Sequence, residues 1–223
     1  MSRLLAMLQY GDSFFPTGSV SFSWGLEGLF ASGAVKTAAD AEAFVLGQLR
    51  SRWAGYDRTA LAAAHDAGGD LDAVAEIDTE VELTTLSAEV RSGSTRMGIA
   101  LLSVFQRLGE PAAQACRMRI AEGKAHGHLP VMQGMLWRAA SIPLTDALAL
   151  SAHTFSTGLA GAAVRLGLIT HIDAQRLMTA ARAEVARLSE QPLLPIAAIN
   201  SFAVEAEIAV MRHLTRDQRL FSN

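Results

Sequence analysis

The stretch PLTDALALSAHTFSTGLAGAAVRLGLITH, residues 143–171, decides the fold class. Its larger apolar side chains mostly recur at steps of three, four or seven residues, and Ala, Gly, Ser and Thr fill the positions between them. These apolar residues are Leu144, Leu148, Phe155, Leu159, Leu166 and Ile169. A helix that is apolar nearly all round is either a membrane span or the central helix of a soluble all-α domain.

The flanks of this stretch favour the soluble interpretation. The uncharged run 147–164 has 18 residues, which is marginal for crossing a bilayer, and it contains His153. Asp146 and Arg165 lie directly at its ends, and neither an aromatic belt nor a one-sided positive cluster flanks it. Small residues such as Gly161 allow neighbouring helix backbones to approach closely. We therefore predict a hub helix that is buried along its whole length.

Composition restricts the class of protein and its compartment. The 223 residues fit one domain, and only two of the 19 basic residues, Lys36 and Lys124, are lysines. A net charge of −3 gives no electrostatic footprint for nucleic acid. The single cysteine, Cys116, excludes an internal disulfide framework and a Cys-rich zinc site. The N-terminus does not resemble a signal peptide, so we expect a cytoplasmic protein without a membrane anchor.

Helical periodicity recurs along the whole chain. Thr37 is a predicted N-cap, and apolar residues follow it at helical spacing at Val45, Leu49, Trp53 and Tyr56. Asp57, Asp70 and Asp173 are predicted to cap further helices, one of which carries Leu71, Val74, Ile77 and Val81 inward. A regular apolar stripe runs over residues 83–108 from Leu83 and Leu86 to Leu108, and a last helix begins near Pro195. The sequence predicts an all-α fold, a single-domain bundle of helices over residues 1–223 around the central apolar helix.

A break separates the first two helices. In GDSFFPTGS, Asp12 is a capping or turn residue, Pro16 forces the residue before it to be extended, and Gly18 completes a turn. The nearby glycines do not indicate a phosphate loop, because no lysine follows them and no strand precedes them. We predict a structural turn formed by Asp12, Pro16 and Gly18.

Two polar segments are candidates for function. Glu89, Ser92 and Arg96 form one row on a helix, with Arg91 on the next row, and such a row is either a solvated face or a functional surface. In GKAHGHLPVMQG, imidazoles two residues apart can ligate a metal from an extended loop. We favour structural histidines at a helix start over metal ligands, since no further ligand lies close by in the sequence.

The chain end is a third candidate surface. The segment 212–223 is basic and polar, yet it ends on Leu220 and Phe221, two apolar side chains that look exposed. A free end of this kind is mobile unless something ties it down. Either Phe221 folds back onto the core of its own chain, or the tail orders on a partner with Phe221 as an aromatic anchor and Arg219 as its charged neighbour.

The catalytic motifs that we sought do not occur. The sequence contains neither a Walker A motif nor a G-x-S-x-G elbow, and it contains neither an H-E-x-x-H pair nor an acidic metal-binding cluster. On its residues alone, the protein is expected to be a helical module that acts by binding and not an enzyme.

The chain resembles the urease accessory protein F family nearly from end to end. The resemblance lies in five blocks, of which the first and the last are the specific ones. The blocks are LLAMLQYGDSFFPTGSVSFSWGLE (4–27), EVRSGSTRMG (89–98), HGHLPVMQG (126–134), VRLGLITHIDAQ (164–175) and MRHLTRDQRLF (211–221).

This resemblance implies an all-helical homodimer without a cofactor of its own. It implies binding to a scaffold-type urease accessory protein, called D or H, and recruitment of the accessory GTPase, called G, which carries nickel to apo-urease. It also implies that the surface residues identified above face partners, namely Glu89, Arg91, Ser92 and Arg96 together with Arg219, Leu220 and Phe221.

Two alternatives from other classes stay open at this point. One is a metallochaperone that binds nickel itself through His126 and His128, with His153 or His171 as further ligands. The other is an all-α enzyme with a pocket around the hub helix, which lacks a recognisable acid, base or nucleophile.

Overall fold

The computed structural model describes residues 1–18, 22–201, 203–213 and 220–221, and within these ranges it contains helices and no β-strand. An all-α fold is therefore confirmed. The α-helices are α1 Ser2–Gly11, α2 Leu26–Ser32, α3 Ala38–Gln48, α4 Arg58–Ala67, α5 Leu71–Thr84, α6 Ala88–Arg107, α7 Pro111–Ala121, α8 Leu129–Ala139, α9 Leu144–Arg165, α10 His171–Ser189 and α11 Val204–His213. A π-helical segment, Leu49–Asp57, joins α3 to α4, and a 3₁₀ turn spans Ile196–Ala198.

The helical rod from residue 38 to residue 67 begins as the sequence predicts. Thr37 accepts a hydrogen bond from the backbone N–H of Asp40, and the Asp40 carboxylate accepts from the N–H of Thr37 in return, forming a capping box. The side chains of the predicted stripe are all buried, namely Val45, Leu49, Trp53 and Tyr56. Asp57 does not begin a new helix, because its backbone is helical and α4 continues directly from the π-segment.

A close helix crossing lies between α4 and α8. A Cβ atom added at Gly134 would overlap the carbonyl oxygen of Leu61 and lie 2.9 Å from the backbone nitrogen of His65. Met132, Met135 and other side chains of α8 are fully buried on either side of this crossing. The centre of the larger core is therefore the α4/α8 pair.

The predicted burial of the hub helix along its whole length is wrong. In α9, Leu159 and other residues of one face are buried, but His153 is exposed. A Cβ added at Gly158 or Gly161 would meet no atom within 4 Å, so neither glycine lies at a close crossing. By length and composition α9 could cross a membrane, but half of its most apolar window is buried inside the protein. A core helix with one open face has this pattern.

The apolar stripe over residues 83–108 is broken at both ends. Ser87 caps α6 by accepting a hydrogen bond from the N–H of Val90, so α6 begins only at Ala88. Leu83 and Leu86 lie before this cap and are exposed, as is Leu108 after the helix. The apolar spacing of three or four residues therefore continues across the boundary between α5 and α6, although the two are separate helices.

Two other predicted helix starts are also shifted. The last helix does not begin near Pro195, where only a 3₁₀ turn follows, but at Val204. It packs closely on α2, where a Cβ at Gly28 would lie 3.0 Å from the backbone oxygen of Ala209. The N-cap of α10 is Thr170, and Asp173 completes the capping box from the third helical position.

A carboxylate between two arginines ties α10 to the start of the π-segment. Glu184 accepts hydrogen bonds from Arg187 at 2.5 Å and from Arg50 at 2.6 Å, which lower its pKa to about 2. A carboxylate with a lowered pKa stabilises the fold above its ordinary value of 4.5, and this stabilisation is lost as the pH falls through the folded-state value.

We therefore expect the free energy of unfolding to decline between pH 4.5 and about 2, partly because Glu184 becomes protonated. Replacing Glu184 with Gln should flatten this part of the curve of unfolding free energy against pH, measured by urea denaturation at each pH. Glu76→Ala, at an exposed position of α5, is the control. Parallel curves for Glu184→Gln and the unaltered protein would contradict the expectation.

Candidate functional site

A cavity of about 420 Å³ lies beside the open face of α9. The end of α1, the turn after it, the π-segment, α6, α8 and α10 complete its walls. Carbon atoms dominate the lining, which includes the rings of Tyr10, Phe15, Trp24, Trp137 and Phe155. Gly158 and Gly161 of α9 also face this space.

The π-segment places a buried ion pair in the cavity wall. Arg52 Nη2 donates a hydrogen bond to Asp57 Oδ1 at 3.3 Å, and Arg52 Nε lies 3.2 Å from Asp57 Oδ2. Residues five apart in an α-helix point about 140° away from each other. In a π-helix, whose hydrogen bonds join residues five apart, they lie on one face. The local π geometry therefore makes the pair possible.

The environment of the pair is largely closed to water. Arg52 is 6% exposed and Asp57 is 8% exposed. Burial raises the pKa of Asp57, and the neighbouring Arg52 guanidinium partly opposes this rise. The two buried charges compensate each other in the cavity wall.

Trp24 covers the guanidinium from the other side. Its ring centroid is 4.2 Å from Arg52 Cζ, the geometry of a cation–π contact, and 6.2 Å from the ring of Phe155. The backbone of Trp24 has φ +53, a left-handed conformation that bulky residues rarely adopt. Strain of this kind persists where the surroundings enforce it, often at functional sites.

Trp137 contributes an unpaired donor. Its side chain is 2% exposed and forms part of the cavity wall. The indole Nε1–H has no hydrogen-bond acceptor among the residues that the structure describes, and Arg52 Nε, despite its distance to Asp57, lacks the angle of a hydrogen bond. The indole donor of Trp137 is thus left without an acceptor among the described residues, whereas the Arg52 guanidinium is paired with Asp57.

The turn predicted from Asp12, Pro16 and Gly18 forms the rim of the cavity. Asp12 Oδ1 accepts a hydrogen bond from the N–H of Phe14 at 2.7 Å, and the Asp12 carbonyl accepts from the N–H of Phe15 at 3.0 Å. Pro16 follows outside any helix, and Gly18 has φ +73, the left-handed conformation that suits glycine. The turn directs Phe15 inward and leaves Phe14 93% exposed.

The polar row of α6 lies on the surface, away from the cavity. Glu89 accepts a hydrogen bond from the Ser87 hydroxyl, and Arg91 pairs with Glu82 at 3.3 Å while donating to the carbonyl of Thr85. Ser92 and Arg96, which continue the row, are exposed. Arg96 donates to the carbonyl of Ser92, and its guanidinium lies 5.1 Å from the ring centroid of Phe22.

The His126–His128 loop is anchored by a carboxylate of α5. Asp78, which is fully buried, accepts hydrogen bonds from the backbone N–H groups of His126, Gly127 and His128 at 2.7 to 2.9 Å. The buried His128 imidazole places Nε2 2.9 Å from Glu82 Oε2, and burial lowers the pKa of this histidine. Within the described ranges, no three His, Cys, Asp or Glu side chains are arranged to hold a metal.

The chain end folds back onto its own core. Phe221 is 5% exposed, and the Glu27 carboxylate accepts hydrogen bonds from the N–H groups of Leu220 and Phe221. The Arg165 guanidinium lies 4.3 Å from the Phe221 ring centroid. The expectation that both terminal apolar side chains are exposed is therefore wrong for Phe221, whereas Leu220 is 58% exposed. Arg219 lies outside the described residues.

Sequence reasoning missed the residues of the cavity wall. Trp53 and Tyr56 were identified as core residues of one helix, but Arg52 and Asp57 were not paired, because α-helical spacing separates them. Trp24, which lies beyond the predicted turn, was not identified as a candidate residue. The one available signal was two charged residues, Arg52 and Asp57, beside a strongly apolar stripe, where burial demands pairing.

The fold and the cavity define a class of all-helical module with a ligand-sized space beside its longest helix. A family model described as UreF matches residues 35–182, and the chain therefore belongs to the UreF family. It is 28% identical to the urease accessory protein UreF of Actinobacillus pleuropneumoniae serotype 5b, covering 99% of both chains. It is 29% identical to the UreF protein of Trichodesmium erythraeum, covering 100% of this chain and 98% of the relative, and 28% identical to that of Yersinia pseudotuberculosis serotype IB, covering 100% and 99%.

Proposed function

We propose that this chain is a non-enzymatic adaptor in the maturation of urease. In this role it links a scaffold accessory protein of the D or H type to the accessory GTPase of the G type, so that nickel reaches apo-urease in the cytoplasm. The observation that carries the proposal is the similarity, over the whole chain, to proteins named as urease accessory proteins. A protein with this role needs several docking surfaces, and the structure offers three candidates.

The first candidate surface is the outer face of α1. This helix buries none of its residues, and Leu4, Leu5 and Leu8 are each more than half exposed. An ion pair between Arg3 and Asp146, at 3.2 Å, holds α1 against the start of α9. Exposed leucines that are neighbours on one helix favour association, so we propose that this face forms the homodimer.

Replacing both Leu4 and Leu8 with Glu should convert the homodimer into a monomer, because each charge would have to be buried in the contact. Size-exclusion chromatography with light scattering measures the mass. The thermal melt of the monomer should stay close to that of the unaltered protein at low concentration, since neither leucine is buried within the chain. Leu83→Glu, at another exposed leucine, is the matched control. A dimer that persists in Leu4→Glu/Leu8→Glu would refute the assignment of α1.

The second candidate surface is the polar row of α6. We propose that Glu89, Arg91, Ser92 and Arg96 contact a partner or the dimer mate. Arg96→Ala is the cleaner test, because Arg91 also donates to the carbonyls of Thr85 and Leu86 and holds its own chain together. If Arg96→Ala leaves both the dimer and scaffold binding intact, the row is a solvated face.

The third candidate surface is the chain end, where we propose that Arg219, Leu220 and Phe221 dock on the scaffold protein. Because Phe221 is buried in its own chain, docking requires its release from the contact with Glu27 and Arg165. Truncation after Gln218 separates the two roles. Loss of scaffold pull-down supports docking, and a lowered melt alone supports a purely internal role for Phe221.

We propose that nickel travels on the GTPase and not on the His126–His128 loop. The geometry supports this, because the His128 imidazole is buried and its Nε2 is already paired with Glu82. Equilibrium dialysis with Ni²⁺ tests it directly. Stoichiometric binding that disappears in His126→Ala/His128→Ala would favour the metallochaperone alternative.

The decisive test of the adaptor role is reconstitution. Apo-urease is expressed with its accessory proteins, with and without this chain, and urease activity is measured after nickel addition. We expect activity to depend on the chain. Equal activity in both preparations would overturn the proposed function.

A further inference from the structure

The cavity beside α9 has the size and the lining of a small-molecule site. Its volume of about 420 Å³ falls within the usual range for ligand pockets, roughly 300–1,000 Å³. Apolar and aromatic side chains dominate its walls. In such pockets carbon surface supplies burial, and a few polar atoms that reach the space fix the orientation of the ligand. The polar atoms that are open to the cavity therefore determine what it can hold.

Most buried polar side chains of the wall are either satisfied or closed off. The indole Nε1 of Trp137 has almost no accessible surface, so it cannot contact an occupant. The others have partners within the protein. They are the Arg52–Asp57 ion pair, the Ser94 hydroxyl, which accepts a hydrogen bond from the N–H of Leu129 at 3.2 Å, and the Ser151 hydroxyl, which accepts one from the indole of Trp53 at 3.4 Å. Gln133 is the exception among the buried polar side chains of the wall that the structure describes.

Gln133 lies on the side of α8 that forms the cavity wall. The residues of α8 that line the cavity are Leu129, Pro130, Gln133 and Trp137, and steps of three or four from Gln133 place them on one side of the helix. Gln133 is only 8% exposed, yet its amide oxygen and nitrogen form no hydrogen bond with a described residue. Neither atom is closed to solvent as the indole nitrogen of Trp137 is. We therefore assign the accessible surface of this amide to the cavity.

The carboxamide of Gln133 defines the complementary group on an occupant. It offers an acceptor oxygen beside an NH₂ donor, and burial removes most of the bulk water that would otherwise satisfy them. A second carboxamide satisfies both atoms at once, because it donates to Oε1 and accepts from Nε2. A ketone accepts only. A carboxylate also accepts only, and it brings a charge into a wall whose buried ion pair, Arg52 with Asp57, already compensates itself.

The apolar part of the occupant has a place along α9. A Cβ added at Gly158 or Gly161 would meet no atom within 4 Å, and both glycines line the cavity. Their small size therefore serves the open space and not a helix crossing. The wall also carries the rings of Phe15, Trp24 and Phe155, against which a flat ring can bury its surface.

We infer that this cavity binds a compact, uncharged molecule that carries an apolar ring and a carboxamide group. The carboxamide pairs with the amide of Gln133, and the ring lies along Gly158 and Gly161. Helical segments and a turn wall the space on several sides, which suits a compact molecule better than an extended polypeptide. This inference does not depend on the adaptor role.

Three phenyl compounds of nearly equal size, titrated into the full-length protein and followed by ligand-observed NMR, test the inference. They are 3-phenylpropanamide, its methyl ketone analogue 4-phenylbutan-2-one and the anion 3-phenylpropanoate. We expect one-to-one binding of the amide with a Kd of about 5 mM or tighter, as ligand efficiency allows for a molecule of this size. The ketone should bind about tenfold more weakly, because it leaves Oε1 of Gln133 without a donor, and the anion should bind at least as weakly as the ketone.

Gln133→Met tests the role of the amide. Methionine keeps the length of the side chain but removes both polar atoms, so the variant should fold with a thermal melt at or above that of the unaltered protein. The preference for the amide compound should disappear, with the affinities of amide and ketone within about twofold of each other.

Two glycine variants locate the site. Gly161→Leu should abolish binding of the amide compound by filling the cavity without a clash. Gly47→Leu, at a helical glycine with equally open surroundings outside the cavity, should bind as the unaltered protein does.

Three results would overturn the inference. The first is the lack of saturable binding of 3-phenylpropanamide by the folded protein. The second is equal affinity of the unaltered protein for amide and ketone, or a preference that persists in Gln133→Met, since either would show that Gln133 does not select the ligand. The third is unchanged binding by Gly161→Leu, verified as folded by thermal melt, which would place the compound elsewhere, for example on the exposed leucines of α1.

Discussion

Gly134→Ala should destabilise the protein by at least about 3 kcal/mol, and Gly134→Leu should prevent folding. The reason is that the added Cβ would overlap the Leu61 carbonyl oxygen and approach the His65 nitrogen to 2.9 Å. Both are backbone atoms inside α4, so they cannot move aside as the end of a flexible side chain can. Urea denaturation monitored by circular dichroism measures the loss.

Gly161→Leu is the matched control for this expectation. It introduces a large side chain at a helical glycine of α9, where no atom lies within 4 Å of the added Cβ. Its midpoint of denaturation should stay close to that of the unaltered protein. If Gly161→Leu destabilised the protein more than Gly134→Ala does, the close crossing would lie on α9, as the sequence alone suggests.

The contrast between these glycines shows what a sequence pattern can establish. Small residues in an apolar helix indicate either close packing or an open cavity wall, because both require the lack of a side chain. The stretch 143–171 is longer and more apolar than 126–139, so composition favoured α9 as the centre of the fold. Only the positions of Leu61 and His65, far away in the sequence, identify Gly134 as the close approach.

Local features of the fold were predictable where their causes are local. Thr37 and Asp70 cap helices through hydrogen bonds to residues two or three positions away, and their sequence signature is correspondingly short. Val45, Leu49 and Trp53 are buried because their spacing places them on one helix face. Leu83 and Leu86 kept the same spacing across a break that the Ser87 cap imposes, and the prediction failed there.

The candidate site depends on causes that are not local. The pairing of Arg52 with Asp57 needs a π-helix, and helical periodicity calculated for α-helix cannot reveal it. The fold-back of Phe221 needs the buried Glu27 carboxylate, 194 positions earlier in the chain. Helix propensity and hydrophobic periodicity carry no information about contacts between residues so far apart in the sequence.

Arg165 connects two parts of the molecule that the sequence keeps apart. Its guanidinium lies on the ring of Phe221, and its side chain also lines the rim of the cavity. Burial lowers the pKa of Arg165, which stays charged at neutral pH. Release of the chain end would therefore change the surroundings of a cation at the cavity mouth.

The second large effect is expected at Asp78, the anchor of the His126–His128 loop. Its two carboxylate oxygens together accept three backbone hydrogen bonds, and none of the carboxylate is exposed. The loop can approach α6 only because Gly98 has no side chain, since a Cβ there would overlap the carbonyl oxygen of Gly127. The carboxylate and the glycine therefore hold the loop from two sides.

Asp78→Ala should lower the free energy of unfolding by about 4 kcal/mol, because it leaves three backbone donors without an acceptor, of which those of Gly127 and His128 are buried. Asp78→Asn should cause a smaller loss, since the amide keeps one oxygen but turns its NH₂ toward a remaining donor. Glu76→Ala, at an exposed position of the same helix, should change the stability by less than about 0.5 kcal/mol. Urea denaturation measures all three, and hydrogen exchange at residues 126–128 should accelerate first in the Asp78 variants. If Asp78→Ala proved as stable as Glu76→Ala, with unchanged exchange at these amides, a different contact would have to hold the loop.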